Sequence, residues 1–152
     1  MLKRVLLFLV LNFSALGIGS LYTTAGVSSD WYQTLNKAPW TPPGWMFGVA
    51  WTTIMICFAI YMALLVPKTD NRKKIIGLFV IQWVLNTSWN PIFFYLQQTV
   101  LGLFVILSLT SIVSIFLFQY RKTLQLNSLW IAPYFIWLLI ASSLNAYIVL
   151  MN

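Results

Sequence analysis

Residues 37–66 read KAPWTPPGWMFGVAWTTIMICFAIYMALLV, and from Gly44 to Val66 the run contains no charged residue. An apolar run of this length spans the roughly 30 Å hydrocarbon core of a bilayer as an α-helix, whereas a membrane strand is about half as long and alternates in polarity. In front of the run, Thr41 is predicted to be the N-cap, and Pro42–Pro43 suit the first turn. The stretch therefore predicts a transmembrane helix that is entered through a stiff connector.

The rest of the chain repeats this apolar pattern. Of its 152 residues, 61% are hydrophobic and 7% are charged, with a mean hydropathy of +0.85. Soluble domains average about a quarter charged residues, so the soluble class is excluded. The sequence predicts one domain over 1–152, an all-α membrane protein built as a five-transmembrane-helix bundle. The predicted helices cover approximately 4–26, 44–66, 75–96, 99–119 and 128–150, with an outer loop at 27–43.

The basic residues predict the orientation of these helices. If successive helices cross the membrane in opposite directions, every basic residue except Lys37 falls on the same side of the membrane. These residues are Lys3, Arg4, Lys68, Arg72, Lys73, Lys74, Arg121 and Lys122. By the positive-inside rule, the N-terminus is cytoplasmic, and the 27–43 loop and the C-terminus lie outside. The charges are thus topology signals and not a nucleic-acid surface. The start MLKR also resembles a signal peptide, but the long apolar run favours a retained helix. Helical spans favour the inner membrane of a bacterium.

Conventional catalytic and metal-binding groups are scarce in this sequence. Histidine is absent, the single cysteine is Cys57, and the only acids are Asp30 and Asp70. We therefore expect no metal site, no required cofactor and no acid–base catalytic constellation.

The third predicted helix carries polar residues within the membrane. Gln82, Asn86, Trp89 and Phe93 recur at helical spacing, and Asn90 lies beside them. Such a stripe serves either interhelical hydrogen bonding or the lining of a ligand cavity, and the helix alone does not decide between them. Proline is expected to open this helix locally and to remove Asn90 from helical angles. Pro133 is expected to open the fifth helix in the same way.

Three tryptophans are predicted to lie deep in the membrane. At about 1.5 Å per residue, Trp51 and Trp89 fall roughly 10 Å below the outer helix ends and Trp137 roughly 20 Å. Interfacial tryptophans sit at the headgroup level, which suits Trp31, Trp40, Trp45 and Trp130 but not these three. Gly44 and Gly48 share a face with Trp51, where missing side chains permit either close helix packing or a flat ligand. Trp137 is followed on one face of its helix by Ala141 and Leu144. Together, these residues predict a pocket beneath the outer loop.

Three motifs in order carry a family resemblance: WYQTLNKAPWTPPGWMFGVAW (31–51), QWVLNTSWNPIFF (82–94) and PYFIWLLIASSLN (133–145). With them, the sequence resembles the TspO/MBR family, the translocator proteins once called peripheral benzodiazepine receptors. The resemblance implies five transmembrane helices, a homodimer and a pocket closed by the first loop. It also implies porphyrins such as protoporphyrin IX, sterols in animals, and benzodiazepine-site drugs as ligands.

Carried over position by position, the resemblance predicts which residues line the pocket. Among them, Ala141 matches a family position where larger residues are associated with altered ligand response. The pocket residues are Tyr32, Trp40, Trp51, Asn86, Trp89, Asn90, Phe93, Trp137, Ala141 and Leu144. KAPW at 37–40 replaces the family's usual KPSW, which moves a proline by one position. Tyr147 is followed by no basic residue, so the cholesterol motif is incomplete and high-affinity sterol recognition is not expected.

The resemblance and the residues together predict an integral membrane protein that binds tetrapyrroles for sensing, transport or scavenging. Lys37 is the candidate partner for porphyrin propionates, and the absence of histidine favours a metal-free porphyrin over haem. One alternative is light- and oxygen-dependent porphyrin breakdown, for which the resemblance suggests Trp51 and Trp137. Others are a transporter of small hydrophobic molecules and a passive structural bundle.

Overall fold

The computed structural model describes the whole chain, Met1–Asn152, as helices joined by short connections. The long helices are α1 (Leu2–Val27), α3 (Gly44–Leu65), α4 (Arg72–Asn90), α5 (Thr99–Gln119) and α7 (Ala132–Met151). The short helices are α2 (Asp30–Thr34) and α6 (Arg121–Leu124). Turns of 3-10 helix cover Val66–Lys68 and Gln125–Ile131, and a π-helical turn covers Pro91–Tyr95.

Four helical segments are long and apolar enough to cross a membrane: Leu2–Val27, Gly44–Lys68, Thr99–Gln119 and Arg121–Met151. The predicted all-helical membrane class is confirmed by this architecture. Helix α4 is not among the four because it begins with three basic residues and carries several carboxamides. The fifth crossing therefore stays a prediction.

Successive long helices run in opposite directions, so the bundle has two distinct ends. The loop end carries the connector (residues 28–43), and the basic end carries the basic residues other than Lys37. Contacts fix the alignment: Asn12 Nδ2 donates to Met55 O (3.0 Å) between α1 and α3, and Trp83 Nε1 donates to Leu11 O (2.8 Å) between α4 and α1.

Two helices begin at other positions relative to their prolines than the sequence suggested. Thr41 is not the N-cap of α3: its hydroxyl donates to Ala38 O (2.7 Å) within the connector, and Pro43 is the residue before the helix. Pro133 does not open a helix interior either, because α7 begins at Ala132 and Pro133 lies in its first turn. Proline is tolerated there since a first-turn N–H has no intrahelical partner.

Pro91 changes the helix type and does not break the helix. Asn90 keeps helical angles (φ −61°, ψ −52°), so the expectation that Pro91 removes it from the helix was wrong. The missing N–H is accommodated by the π-helical turn, in which Leu96 N donates to Pro91 O (2.9 Å). Gln97, with φ of 55°, ends the turn. π-helical turns of this kind often occur at functional sites.

The tightly packed core lies towards the basic end. Phe58 of α3 is its centre and stacks on Phe79 of α4 with ring centroids 5.8 Å apart. Phe116 and Tyr134 meet the same ring edge-on. Nearby, Gln82 Nε2 donates to the Tyr134 hydroxyl (2.7 Å). This core closes the bundle from below, whereas the loop end is packed less completely.

At the loop end, α1 packs against α4 and the π-helical turn through glycines. A Cβ at Gly19 would lie 2.5 Å from Asn90 Nδ2, and a Cβ at Gly26 would overlap the Phe94 ring. Thr23 Oγ1 donates to Asn90 Oδ1 (2.6 Å) between these two contacts. The outer half of α1 is thereby drawn towards α4.

We expect Gly26→Ala to destabilise the protein by about 1–2 kcal/mol, because overpacking at Phe94 outweighs the helix propensity of alanine. Gly17→Ala on the same helix is the matched control. No heavy atom lies within 4 Å of its Cβ position, so that change should be neutral or slightly stabilising. Thermal unfolding in detergent measures both variants. Equal melting temperatures for the two would contradict the glycine contact with Phe94.

Candidate ligand cavity

A cavity of about 580 Å³ occupies the loop end of the bundle. Its walls come from α1, α3, α4 with the π-helical turn, and α7, and the connector covers it. The volume falls within the range of about 300–1,000 Å³ that is typical of small-molecule sites. The cavity exists because the large side chains of the core are concentrated towards the basic end.

One wall of the cavity is aromatic and held rigidly. Trp89 stacks nearly parallel on Phe93, with ring centroids 4.9 Å apart and an interplanar angle of 15°. The indole Nε1 of Trp89 donates to Asn145 Oδ1 (3.1 Å), and Asn145 Nδ2 donates to Thr99 O (2.9 Å). This chain of bonds joins α4, α7 and α5, so it orients Trp89. On the opposite side, Trp51 of α3 also lines the cavity.

The connector forms the roof through α2. Ser29 caps α2 by accepting from Tyr32 N (3.3 Å), and the Tyr32 ring packs on Phe94 at 5.4 Å between ring centroids. Burial raises the pKa of the Tyr32 phenol above its ordinary value, so it stays protonated and neutral. Lys37 Nζ lies 4.7 Å from the centre of the Tyr32 ring, in cation–π range. Lys37 is the only charged residue of the cavity lining.

The roof is fastened to the end of α7 by a contact that we call the latch (Asn36 and Trp40 with Ser143, Tyr147 and Asn152). Asn152 Oδ1 accepts from Asn36 N (2.9 Å), and Asn152 Nδ2 donates to Asn36 O (3.3 Å). Trp40 Nε1 donates to Ser143 Oγ (3.1 Å), and its ring packs edge-on against Tyr147. The latch lies outside the cavity lining and joins the connector to α7.

The polar stripe of α4 is divided between the two roles that the sequence left open. Gln82 bonds to Tyr134 in the core, and Asn90 accepts from Thr23 while lining the cavity. Asn86 also lines the cavity, and its carboxamide has no hydrogen-bond partner within the chain. A ligand or a water can therefore bind to Asn86 without displacing a protein contact.

Most of the residues predicted for the pocket lie around the cavity, together with Lys37. They are Tyr32, Gly44, Gly48, Trp51, Asn86, Trp89, Asn90, Phe93, Ala141 and Leu144. Gly44 and Gly48 have no heavy atom within 4 Å of a Cβ position. They leave open space and do not support close helix packing within this chain.

Trp40 and Trp137 do not line the cavity. Trp40 is 54% exposed because the latch holds its ring against the outside of α7. Trp137 is only 7% exposed and packs edge-on against Phe47, bordering a separate hollow of about 40 Å³. Its indole Nε1 is buried without a partner. Of the two tryptophans suggested for porphyrin oxidation, Trp51 alone borders the large cavity.

The contribution of α1 to the cavity was missed from the sequence. The lining residues of α1 are Ala15, Leu16, Gly19, Ser20, Thr23, Thr24 and Val27. A signal for them exists: Ala15, Gly19, Thr23 and Gly26 recur on one helical face and are small. Small residues of this kind mark a close helix approach, and here that approach faces α4.

The geometry defines a class of protein: an all-helical, multi-pass membrane protein with an aromatic-lined cavity beneath a latched connector. The TspO/MBR family model matches residues 6–151, and the chain belongs to this family.

Similar proteins extend from archaea to mammals. The chain is 33% identical to the tryptophan-rich protein TspO of Archaeoglobus fulgidus, over 94% of each chain. It is 35% identical to protein CrtK of Rhodobacter capsulatus, over 76% of this chain and 74% of that one. With the human translocator protein it shares 30% identity, over 79% of this chain and 73% of the human one.

Proposed function

We propose that this protein binds a tetrapyrrole such as protoporphyrin IX in the cavity and acts in its sensing, transport or scavenging. The observation that carries the proposal is the cavity of about 580 Å³, which combines flat aromatic walls with a single cation at its roof. A porphyrin is a broad aromatic plate with carboxylates at one edge. Benzodiazepine-site drugs, which are also flat and aromatic, are a second class of expected ligand.

Each feature of a metal-free porphyrin has a counterpart among the lining residues. The macrocycle would lie against the stacked pair Trp89 and Phe93, because aromatic faces bury large apolar areas against one another. Propionates would point towards Lys37 at the roof. No histidine is present to ligate haem iron, which favours the metal-free ring.

The proposed topology has α4 as a fifth crossing. The basic residues of α4 lie at its start, and the apolar part from Ile75 continues through the π-helical turn to Tyr95. Its buried carboxamides face the bundle, where lipid does not meet them. The charge bias supports a cytoplasmic N-terminus and an external connector in the inner membrane. A homodimer is proposed from the family resemblance.

Titration of protoporphyrin IX into the protein in lipid nanodiscs tests the binding. We expect saturable quenching of tryptophan fluorescence, because Trp51 and Trp89 border the cavity. A benzodiazepine-site drug should reverse the quenching by competition. The control is an unrelated membrane protein that contains tryptophan, in the same nanodiscs. Quenching that does not saturate and equals that of the control would refute the proposal.

Lys37→Gln should weaken protoporphyrin IX binding by about two- to fivefold, the range expected for a partly exposed ion pair. The variant should also flatten the salt dependence of binding, because salt screens a charge pair near water. Lys122→Gln at the basic end is the matched control and should change neither quantity. If Lys37→Gln changes neither the affinity nor its salt dependence, Lys37 does not pair with the propionates.

A further inference from the structure

The cavity has a side opening between α1 and α3. Ser20 and Thr24 of α1 and Gly48 and Thr52 of α3 all line the cavity, and all four are exposed. No heavy atom lies within 4 Å of a Cβ position at Gly48. Leu21 and Val49, which follow Ser20 and Gly48 in the sequence, are apolar, exposed and outside the cavity lining, so the cavity lining adjoins the apolar surface of the bundle here.

The opening follows from how α1 is held. Towards the middle of the bundle, Asn12 Nδ2 donates to Met55 O (3.0 Å) and ties α1 to α3. Beyond that bond, Gly19 and Gly26 allow α1 to lie directly against Asn90 and Phe94. The outer half of α1 thus packs directly against α4 and the π-helical turn. Beyond the bond from Asn12 to Met55, α1 and α3 both contribute residues to the cavity lining.

At the loop end, the connector is held by the latch, in which Asn36 and Asn152 exchange hydrogen bonds and Trp40 bonds to Ser143. The side opening has no such contact to break. The Ser20 hydroxyl at its rim already donates to Gly17 O (2.7 Å), so an apolar molecule passing Ser20 does not deprive that hydroxyl of its partner.

We propose that the gap between α1 and α3 is a lateral portal through which an apolar guest dissolved in the bilayer enters the cavity while the connector stays latched. The identity of the guest as a tetrapyrrole rests on the proposed function, whereas the portal itself does not. A molecule that partitions into the membrane reaches this portal without returning to water. The residues at its rim, Gly48, Ser20, Thr24 and Thr52, are small, which suits the passage of a flat plate.

A latched variant tests the portal without any tetrapyrrole. In the background Cys57→Ala, Asn36→Cys and Asn152→Cys are introduced as a disulfide pair across the latch, because the Asn152 side chain hydrogen-bonds to both N and O of residue 36. An apolar aryl diazirine dissolved in proteoliposomes is then photolysed, and its carbene adducts are mapped by mass spectrometry. Adducts at exposed Leu21 and Val49 normalise the yield.

With the disulfide formed, we expect adducts at the cavity residues Asn86 and Ala141 in the same proportion as after reduction. Gly48→Leu in the latched protein should reduce these interior adducts several-fold. Gly17→Leu, which also places leucine where a Cβ has no neighbour but away from the cavity, should leave them unchanged. Interior adducts that appear only after reduction would overturn the portal, as would interior adducts unaffected by Gly48→Leu. A second copy of the chain covering the gap would give the first of these results.

Because the probe is a neutral aryl compound, the outcome separates the two proposals. Loss of protoporphyrin IX binding with interior adducts retained would refute the proposed function and leave the portal standing. Porphyrin binding without interior adducts in the latched protein would refute the portal alone.

Discussion

Ala141→Phe should weaken protoporphyrin IX binding about tenfold or more, which corresponds to a loss of at least about 1.4 kcal/mol of binding free energy. Ala141 lines both the large cavity and the small hollow beside Trp137, so its side chain faces the space that the guest would occupy. A phenyl ring there removes volume next to Trp89 and Asn86. The fluorescence titration in nanodiscs measures the change.

Ala25→Phe is the matched control for this prediction. Ala25 is exposed on α1 and does not line the cavity, so the same added ring should meet lipid and leave the affinity unchanged. Thermal unfolding of both variants separates lost volume from lost folding, because cavity filling should not lower the melting temperature. Wild-type affinity in a folded Ala141→Phe protein would mean that the guest binds elsewhere.

Asn145→Leu should destabilise the protein by about 2 kcal/mol, because it removes two hydrogen bonds between helices and leaves the part-buried Trp89 indole N–H without its partner. The lost contacts are the Trp89 indole N–H, which donates to Asn145 Oδ1, and Thr99 O, which accepts from Asn145 Nδ2. For a chain of this size, the loss corresponds to a fall in melting temperature of roughly 4–8 °C. Differential scanning calorimetry in detergent measures it.

Ser108→Leu controls for the introduction of leucine in place of a polar residue. Ser108 is exposed on α5 and bonds only within its own helix, to Phe104 O (2.8 Å), so its replacement should change the melting temperature little. Asn145→Leu should also free Trp89 to rotate, which predicts a red-shifted tryptophan emission that Ser108→Leu does not share. A melting temperature equal to that of Ser108→Leu would show that the bonds from α7 to α4 and α5 contribute no net stability.

The family could be recognised from the sequence because its motifs place aromatic and amide residues at fixed helical spacing. Trp89, Phe93 and Asn86 are examples: local periodicity alone puts them on one face of α4. The failures occurred where the position of a residue depends on another element. Trp40 was carried into the pocket by motif position, yet hydrogen bonding to Ser143 holds it outside.

Proline shows the same limit at the backbone level. The sequence indicates correctly that Pro91 and Pro133 lack an N–H, but not how each helix responds. Pro133 lies in a first turn where no donor is needed, and Pro91 is accommodated by a π-helical turn that keeps Asn90 helical. Which response occurs depends on where each proline lies relative to the helix start.

The sequence by itself determined the membrane class, the family and most of the aromatic residues around the cavity, because apolar run length and helical periodicity are local properties of the chain. Only the tertiary structure decided that α1 supplies a wall of the cavity. The reason is physical: Gly19 and Gly26 reveal their role only when Asn90 and Phe94 lie against them. The spacing of residues along the sequence does not show which neighbouring helix packs against a small residue.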